Sequence, residues 1–189
     1  LIDRLSSVTQ NNKYLLKEIV EYIDNKNIYI VGEIANLSDV IINAPILVRL
    51  NGTHSWGKCD IWFSDDDQLE YFSYPQKYII RSPKDGDDSS LLKDYPASLK
   101  NKTIFMDSSV WGQMVAETKI SFPLTETVAA YWFLKHTSSN ITLLNYNFST
   151  KHTNYSTNKT IYLDKKYTPE LDKEYLSSQD RVTLKRIVI

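Results

Sequence analysis

Short apolar runs of strand length recur along this chain, with helical segments between them. The runs are "IYIV" (28–31), "ILVRL" (46–50), "DIWFS" (60–64), "KYIIRS" (77–82), "TIFM" (103–106), "NITLLNYNF" (140–148) and "RVTLKRIVI" (181–189). Between them, "NKYLLKEIVEYID" (12–24) carries Leu15, Leu16, Ile19, Val20 and Ile23 at helical spacing. "DSSVWGQMVAET" offers Asp107 or Ser108 as N-cap. "FPLTETVAAYWFLKHT" is apolar on most faces, as a buried helix would be. "TPELDKEYLSSQ" (168–179) has Thr168 as N-cap, Pro169 at the first helical position and acids in its first turn. The alternation predicts an α/β fold: a single Rossmann-like domain over 1–189, with a mostly parallel central sheet and helices on both faces. Residues 1–27 form an N-terminal helical segment of it. "PKDGDDSS" (83–90) and "STKHTNYSTNKT" (149–160) are expected to be loops.

Composition narrows the function classes. With 42% hydrophobic and 24% charged residues the chain is globular in type. A formal charge of −1 gives no basic field for nucleic acid. No apolar run reaches the ~20 residues of a membrane span. Cys59 is the one cysteine, which excludes an internal disulfide and a cysteine metal cluster; it reads as a small buried apolar residue. His54, His136 and His152 lack metal-binding spacing, so no metal is expected. His136, at a helix C-terminus, reads as a partner of the helix dipole.

In parallel α/β sheets, ligands bind beyond the C-terminal ends of the strands. Four such ends carry polar residues: Gly32–Glu33, Asn51–Gly52, Ser64–Asp65 and Asn147–Ser149. Arg49 lies among apolar strand residues and requires an anion if buried, whether a ligand phosphate or a protein carboxylate. Each has a plainer reading: Asn51 opens an Asn-Gly turn, Asp164 ends a strand, Glu33 faces solvent.

The ordered set "IYIVGEIANL", "LVRLN", "WGKCDIWFS", "PLTETVAAYWFL", "ITLLNYNFS", "TNYSTN" and "PELDKEYLSSQ" resembles the sialyltransferases, closer to the small bacterial lipooligosaccharide type than to the animal type. The resemblance spans about residues 28 to 189. It implies a metal-independent, inverting glycosyltransferase that moves a sugar from a CMP-sugar donor to a glycan acceptor, with no cofactor. Asn51 would contact the cytidine nucleotide, and Thr125 would bind the donor at a helix N-terminus. Gly32 belongs to the family's first turn, and Tyr155 would hydrogen-bond the departing phosphate. Ser149 stands where the family can place a second phosphate tyrosine. Asp164 stands where the general-base histidine is expected, with His152 the nearest histidine. Glu33 replaces an asparagine of the donor site, and Glu126 adds a second acid.

The implied partners are a nucleotide sugar and a glycan acceptor, with peripheral membrane association open. The cytoplasm is the expected compartment. The secretory lumen is the alternative, because sequons at Asn36, Asn51, Asn101, Asn140, Asn147, Asn154 and Asn158 exceed the roughly two expected by chance. A catalytically inactive nucleotide or glycan binder on the same fold, and a host-interaction scaffold, are the other two readings.

Overall fold

The computed structural model describes residues 2–31, 44–51, 59–65, 76–87, 97–146, 148, 151–153 and 160–186; of 2–12, 151–153 and 160–161 it describes the backbone. Helix α1 (Ile2–Ile23) precedes strands β1 (Ile28–Val31), β2 (Ile46–Leu50), β3 (Ile61–Ser64) and β4 (Tyr78–Arg81). A 3-10 helix (Ala97–Lys102) leads into β5 (Thr103–Phe105), followed by α2 (Ser108–Thr118), α3 (Thr125–His136) and β6 (Ile141–Leu144). The chain continues through β7 (Lys151–Thr153), β8 (Thr160–Tyr162), α4 (Pro169–Ser177) and β9 (Val182–Lys185).

Among the described residues seven strands form one sheet in the order β5-β4-β3-β2-β1-β6-β9. Every pairing in it is parallel. The four runs "IYIV", "LVRL", "DIWF" and "ITLL" are therefore adjacent, as an α/β Rossmann-like sheet requires. Strand order reverses at β1: β2 to β5 lie on one side of it, β6 and β9 on the other. Such a reversal opens a crevice at the C-terminal strand ends.

Alternation along the strands separates two faces. Ile28, Ile30, Ile46, Val48, Ile61, Phe63, Ile80, Ile141 and Leu143 share the main core with Leu15, Ile19 and Ile23 of α1. Met114 of α2, Leu176 of α4 and the buried run Val128–Phe133 of α3 join the same core. The N-terminal helical segment is thus an integral layer of the domain. On the opposite face Cys59, Trp62 and Ile79 cluster, and Leu99 of the 3-10 helix packs on them. Seven consecutive buried residues, Thr127 to Phe133, mean the middle of α3 is enclosed. No helix among the described residues is long and apolar enough to cross a membrane.

Several boundaries differ from the sequence expectation. Helix α1 starts ten residues earlier than the apolar periodicity at 12–24. Strand β6 stops at Leu144 because Asn145 turns left-handed, with φ 54°. The stretch 149–160 is not wholly loop: β7 pairs antiparallel with β8, His152 opposite Ile161. Thr-rich flanks with Ile161 and Tyr162 suit a short hairpin even in a polar segment. Asp107 caps α2, its Oδ1 accepting from the Ser109 amide at 2.9 Å. Thr168 occupies the N-cap position of α4 without a side-chain cap bond.

After β4 the chain makes a tight turn closed by a Lys84–Asp87 bridge, with Asp85 at φ 51° and Gly86 at φ 84°. A Cβ on Gly86 would lie 2.8 Å from Nε1 of Trp111. Gly86→Ala therefore meets both backbone strain and a clash, and should cost about 1–2 kcal/mol. Urea unfolding checks this; an unchanged midpoint would show that the turn relaxes freely.

Candidate functional site

The C-terminal edge of the sheet gathers polar side chains from elements far apart in sequence. Asn51 follows β2 with φ 41°, a left-handed conformation that asparagine tolerates well. This bend turns its amide toward the end of β3. There Asn51 Nδ2 donates to Asp65 Oδ1 at 2.8 Å, and the Asp65 amide donates to Asn51 Oδ1 at 3.0 Å. Trp62 Nε1 fixes the Asn51 carbonyl at 3.0 Å. The second oxygen of Asp65 accepts from Thr125 Oγ1 at 2.7 Å. One carboxylate thus joins β2, β3 and the first residue of α3.

Helix α3 presents its N-terminus to this group, where backbone N–H groups favour negative charge. Protein carboxylates already serve much of it. Asp172 of α4 is fully buried, and its Oδ1 accepts from the Leu124 amide at 2.9 Å and from Thr127 Oγ1 at 2.5 Å. Its Oδ2 is buried without a hydrogen-bond partner among the described residues. Burial pushes the Asp172 carboxyl above its ordinary range, against the two accepted bonds. Glu126, half-buried, adds a third acid in the first helical turn.

A second group closes the same edge. Asp85 accepts from the Tyr167 hydroxyl at 2.8 and 2.9 Å and from Lys166 Nζ at 2.7 Å. Burial, then Asp85, then the charges of Asp65 and Asp164 hold the Tyr167 phenol well above its usual range. Tyr167 therefore lies within electrostatic reach of all three carboxylates. Its ring meets Phe122 edge-on, centroids 6.4 Å apart. Below, Arg81 at the end of β4 is buried and donates to Ser64 Oγ at 3.1 Å.

The expected residues distribute unevenly. Asn51 and Thr125 meet on Asp65. Glu126 stands next to Thr125. Asp164 is exposed after β8, and its Oδ1 accepts from the Lys166 amide at 3.1 Å in a local turn. Arg49 is buried in β2 beside Cys59 and opposite Trp62, and desolvation lowers its pKa. His152 sits in β7, where the backbone alone is described. Gly32, Glu33, Ser149, Tyr155 and His54 lie outside the described residues.

His136 departs from its expected role. It is half-buried against Trp132, ring centroids 4.6 Å apart, and burial followed by Lys135 lowers its pKa. A charged dipole partner is disfavoured there, so it packs as a neutral ring. The Cys59 thiol is buried and pushed up to about 12, which makes it an unreactive core group. Among the described residues no group of three or more His, Cys, Asp or Glu side chains is placed to hold a metal ion.

Sequence reasoning named the Ser64–Asp65 strand end without giving Asp65 a role. It missed Asp85, Tyr167 and Asp172 altogether. Asp85 lies in a stretch whose composition marks an exposed loop, and Asp172 looks like an ordinary first-turn acid. No family model, curated protein or solved structure matches this chain.

Proposed function

We propose that this chain is a sialyltransferase-like glycosyltransferase whose CMP-sugar donor lies along the C-terminal edge of the sheet. The observation that carries this reading is the convergence of Asn51 and Thr125, from β2 and α3, on Asp65. The resemblance assigns donor contacts to those same two positions, 74 residues apart in number. In this reading the edge beside Asn51 takes the nucleotide, and the first turn of α3 faces the phosphate. A base, Asp164 or His152, takes the proton of the acceptor hydroxyl while the phosphate departs from the opposite face of the sugar. Tyr155 donates to the leaving group. Catalysis then consists of positioning, proton removal and stabilisation of the departing phosphate.

A binder without turnover is the second reading, and one observation favours it. Asp65, Asp172 and Glu126 crowd the helix N-terminus that a phosphate would use. Release of CMP from a CMP-sugar, with and without a glycan acceptor, separates the two. Binding without turnover would leave the binder.

Asn51→Ala should weaken CMP binding about fivefold, the worth of one hydrogen bond near 1 kcal/mol. Isothermal titration of the parent and the variant measures it. Equal affinity in a parent that does bind CMP would remove Asn51 from the donor contacts. A parent that binds no CMP would overturn the donor assignment itself.

A further inference from the structure

A pocket of about 410 Å³ opens between α2, α3, α4 and the turn into β9. That volume lies in the range of small-molecule sites. Its walls include Glu117, Tyr131, Lys135, Tyr175, Asp180 and Arg181. It is remote from the edge described above. Lys135 is ten residues along α3 from Thr125, roughly 15 Å at 1.5 Å per residue. The helix ends just before β6 begins, so this is the N-terminal side of the sheet.

Most of the wall is held in place before anything binds. Glu117 accepts from the Tyr131 hydroxyl at 2.7 Å and from Gln113 Nε2 at 2.9 Å. Lys135 Nζ donates to Gln113 Oε1. Arg181 is anchored on the carbonyls of Leu134, Thr137 and Ser139 at 2.5, 2.7 and 3.0 Å. Two groups are left unspent. Neither the Tyr175 hydroxyl nor the Asp180 carboxylate makes a hydrogen bond among the described residues. Burial and the nearby Glu117 charge keep the Tyr175 phenol protonated and able to donate.

The chemistry of this wall selects for a class of ligand. Two carboxylates face two cations, so the charges balance and neither an anion nor a cation gains a net field. The wall carries both donors, such as Lys135 and the Tyr175 hydroxyl, and acceptors, such as Glu117 and Asp180. A sugar hydroxyl is both at once and can use the two together. Leu134 and the Tyr175 ring supply apolar surface for the C–H side of a pyranose. We propose that this pocket binds a neutral saccharide unit, a second carbohydrate site that stands whether or not the sheet edge carries transfer activity.

Amide NMR titration of the whole chain with lactose, maltose, N-acetylglucosamine and methyl α-mannoside tests this, with glycine betaine and inorganic phosphate as charged comparators. The expected result is saturable shifts with at least one neutral sugar, confined to residues 113–117, 131–135 and 175–181. Tyr175→Phe and Asp180→Asn should each weaken that binding at least about tenfold, the loss of one charge-assisted or buried hydrogen bond. Asn51→Ala should leave it unchanged. Both variants alter partly exposed groups, and spectra elsewhere in the chain verify the fold. No saturable shift with any of the four sugars would overturn the proposal. So would binding of betaine or phosphate alone, or sugar binding that survives both variants.

Discussion

Asp172→Ala is expected to destabilise the fold by about 2–5 kcal/mol, since it strips two buried donors of their one acceptor. The Leu124 amide and the Thr127 hydroxyl both end on Asp172 Oδ1. Neither has water to turn to, because Thr127 and Asp172 are fully buried. This carboxylate is a cap supplied in trans: α4 closes the N-terminus of α3, which leaves its own N-cap, Leu124, without a side-chain bond. Asp172→Asn keeps an acceptor in place and should lose much less. The pH dependence then distinguishes the two forms. Because burial raises the folded pKa above the unfolded value, the neutral acid is favoured in the fold. The stability it contributes is complete below about pH 4 and is lost as pH rises through the folded value. The parent should therefore weaken relative to Asp172→Asn between pH 4 and neutrality. Urea unfolding across that window measures it. A parent that gains on the Asn variant as pH rises would show that the charged form holds the helix.

The same residue marks where sequence legibility ends. Strand runs such as "IYIV" and "DIWFS" were readable because a fully buried parallel strand is apolar on both faces. Helix α3 was readable for a related reason: "TVAAYWF" has no polar face to offer solvent. Both signals are local. Asp172 is four residues into a helix whose acids suit its own dipole, and only the packing of α4 on α3 turns its side chain inward. Asp65 is bonded to Thr125 across 60 positions, and no periodicity records such a contact. Tyr167 and Asp85 are 82 apart and meet for the same reason. His136 misled in the opposite direction. Its place at a helix end was correct, but Trp132 one turn earlier covers it and reverses the charge argument. The β7–β8 hairpin was hidden because polar threonines serve strands and loops alike.

Asp65→Asn is expected to tighten binding of CMP on the order of ten- to thirtyfold at low salt, if the phosphate approaches the first turn of α3. The network can survive the change. Asn51 Nδ2 can donate to the new amide oxygen, and the new amide nitrogen can donate to Thr125 Oγ1, reversing one bond without moving either partner. What disappears is one negative charge. At roughly 8 Å and an effective dielectric of ~20, a phosphate is repelled by that charge by about 2 kcal/mol, and salt screening trims the figure. The gain should therefore shrink as ionic strength rises, which a change in shape would not reproduce. The parent should in turn bind more tightly as pH falls, because burial raises the Asp172 carboxyl above its ordinary range and protonating it removes a charge beside α3. Glu33→Asn, which restores the asparagine of the sialyltransferase pattern, should act in the same direction. Titration of CMP against the parent, Asp65→Asn and Glu33→Asn at two salt concentrations gives every comparison. If Asp65→Asn binds CMP more weakly than the parent, the carboxylate is organising the donor contacts rather than opposing them. The phosphate must then lie away from Thr125. If neither variant nor parent binds CMP at any pH, the nucleotide reading of this edge fails, and what remains is an α/β domain whose carboxylates serve only to join β2, β3, α3 and α4.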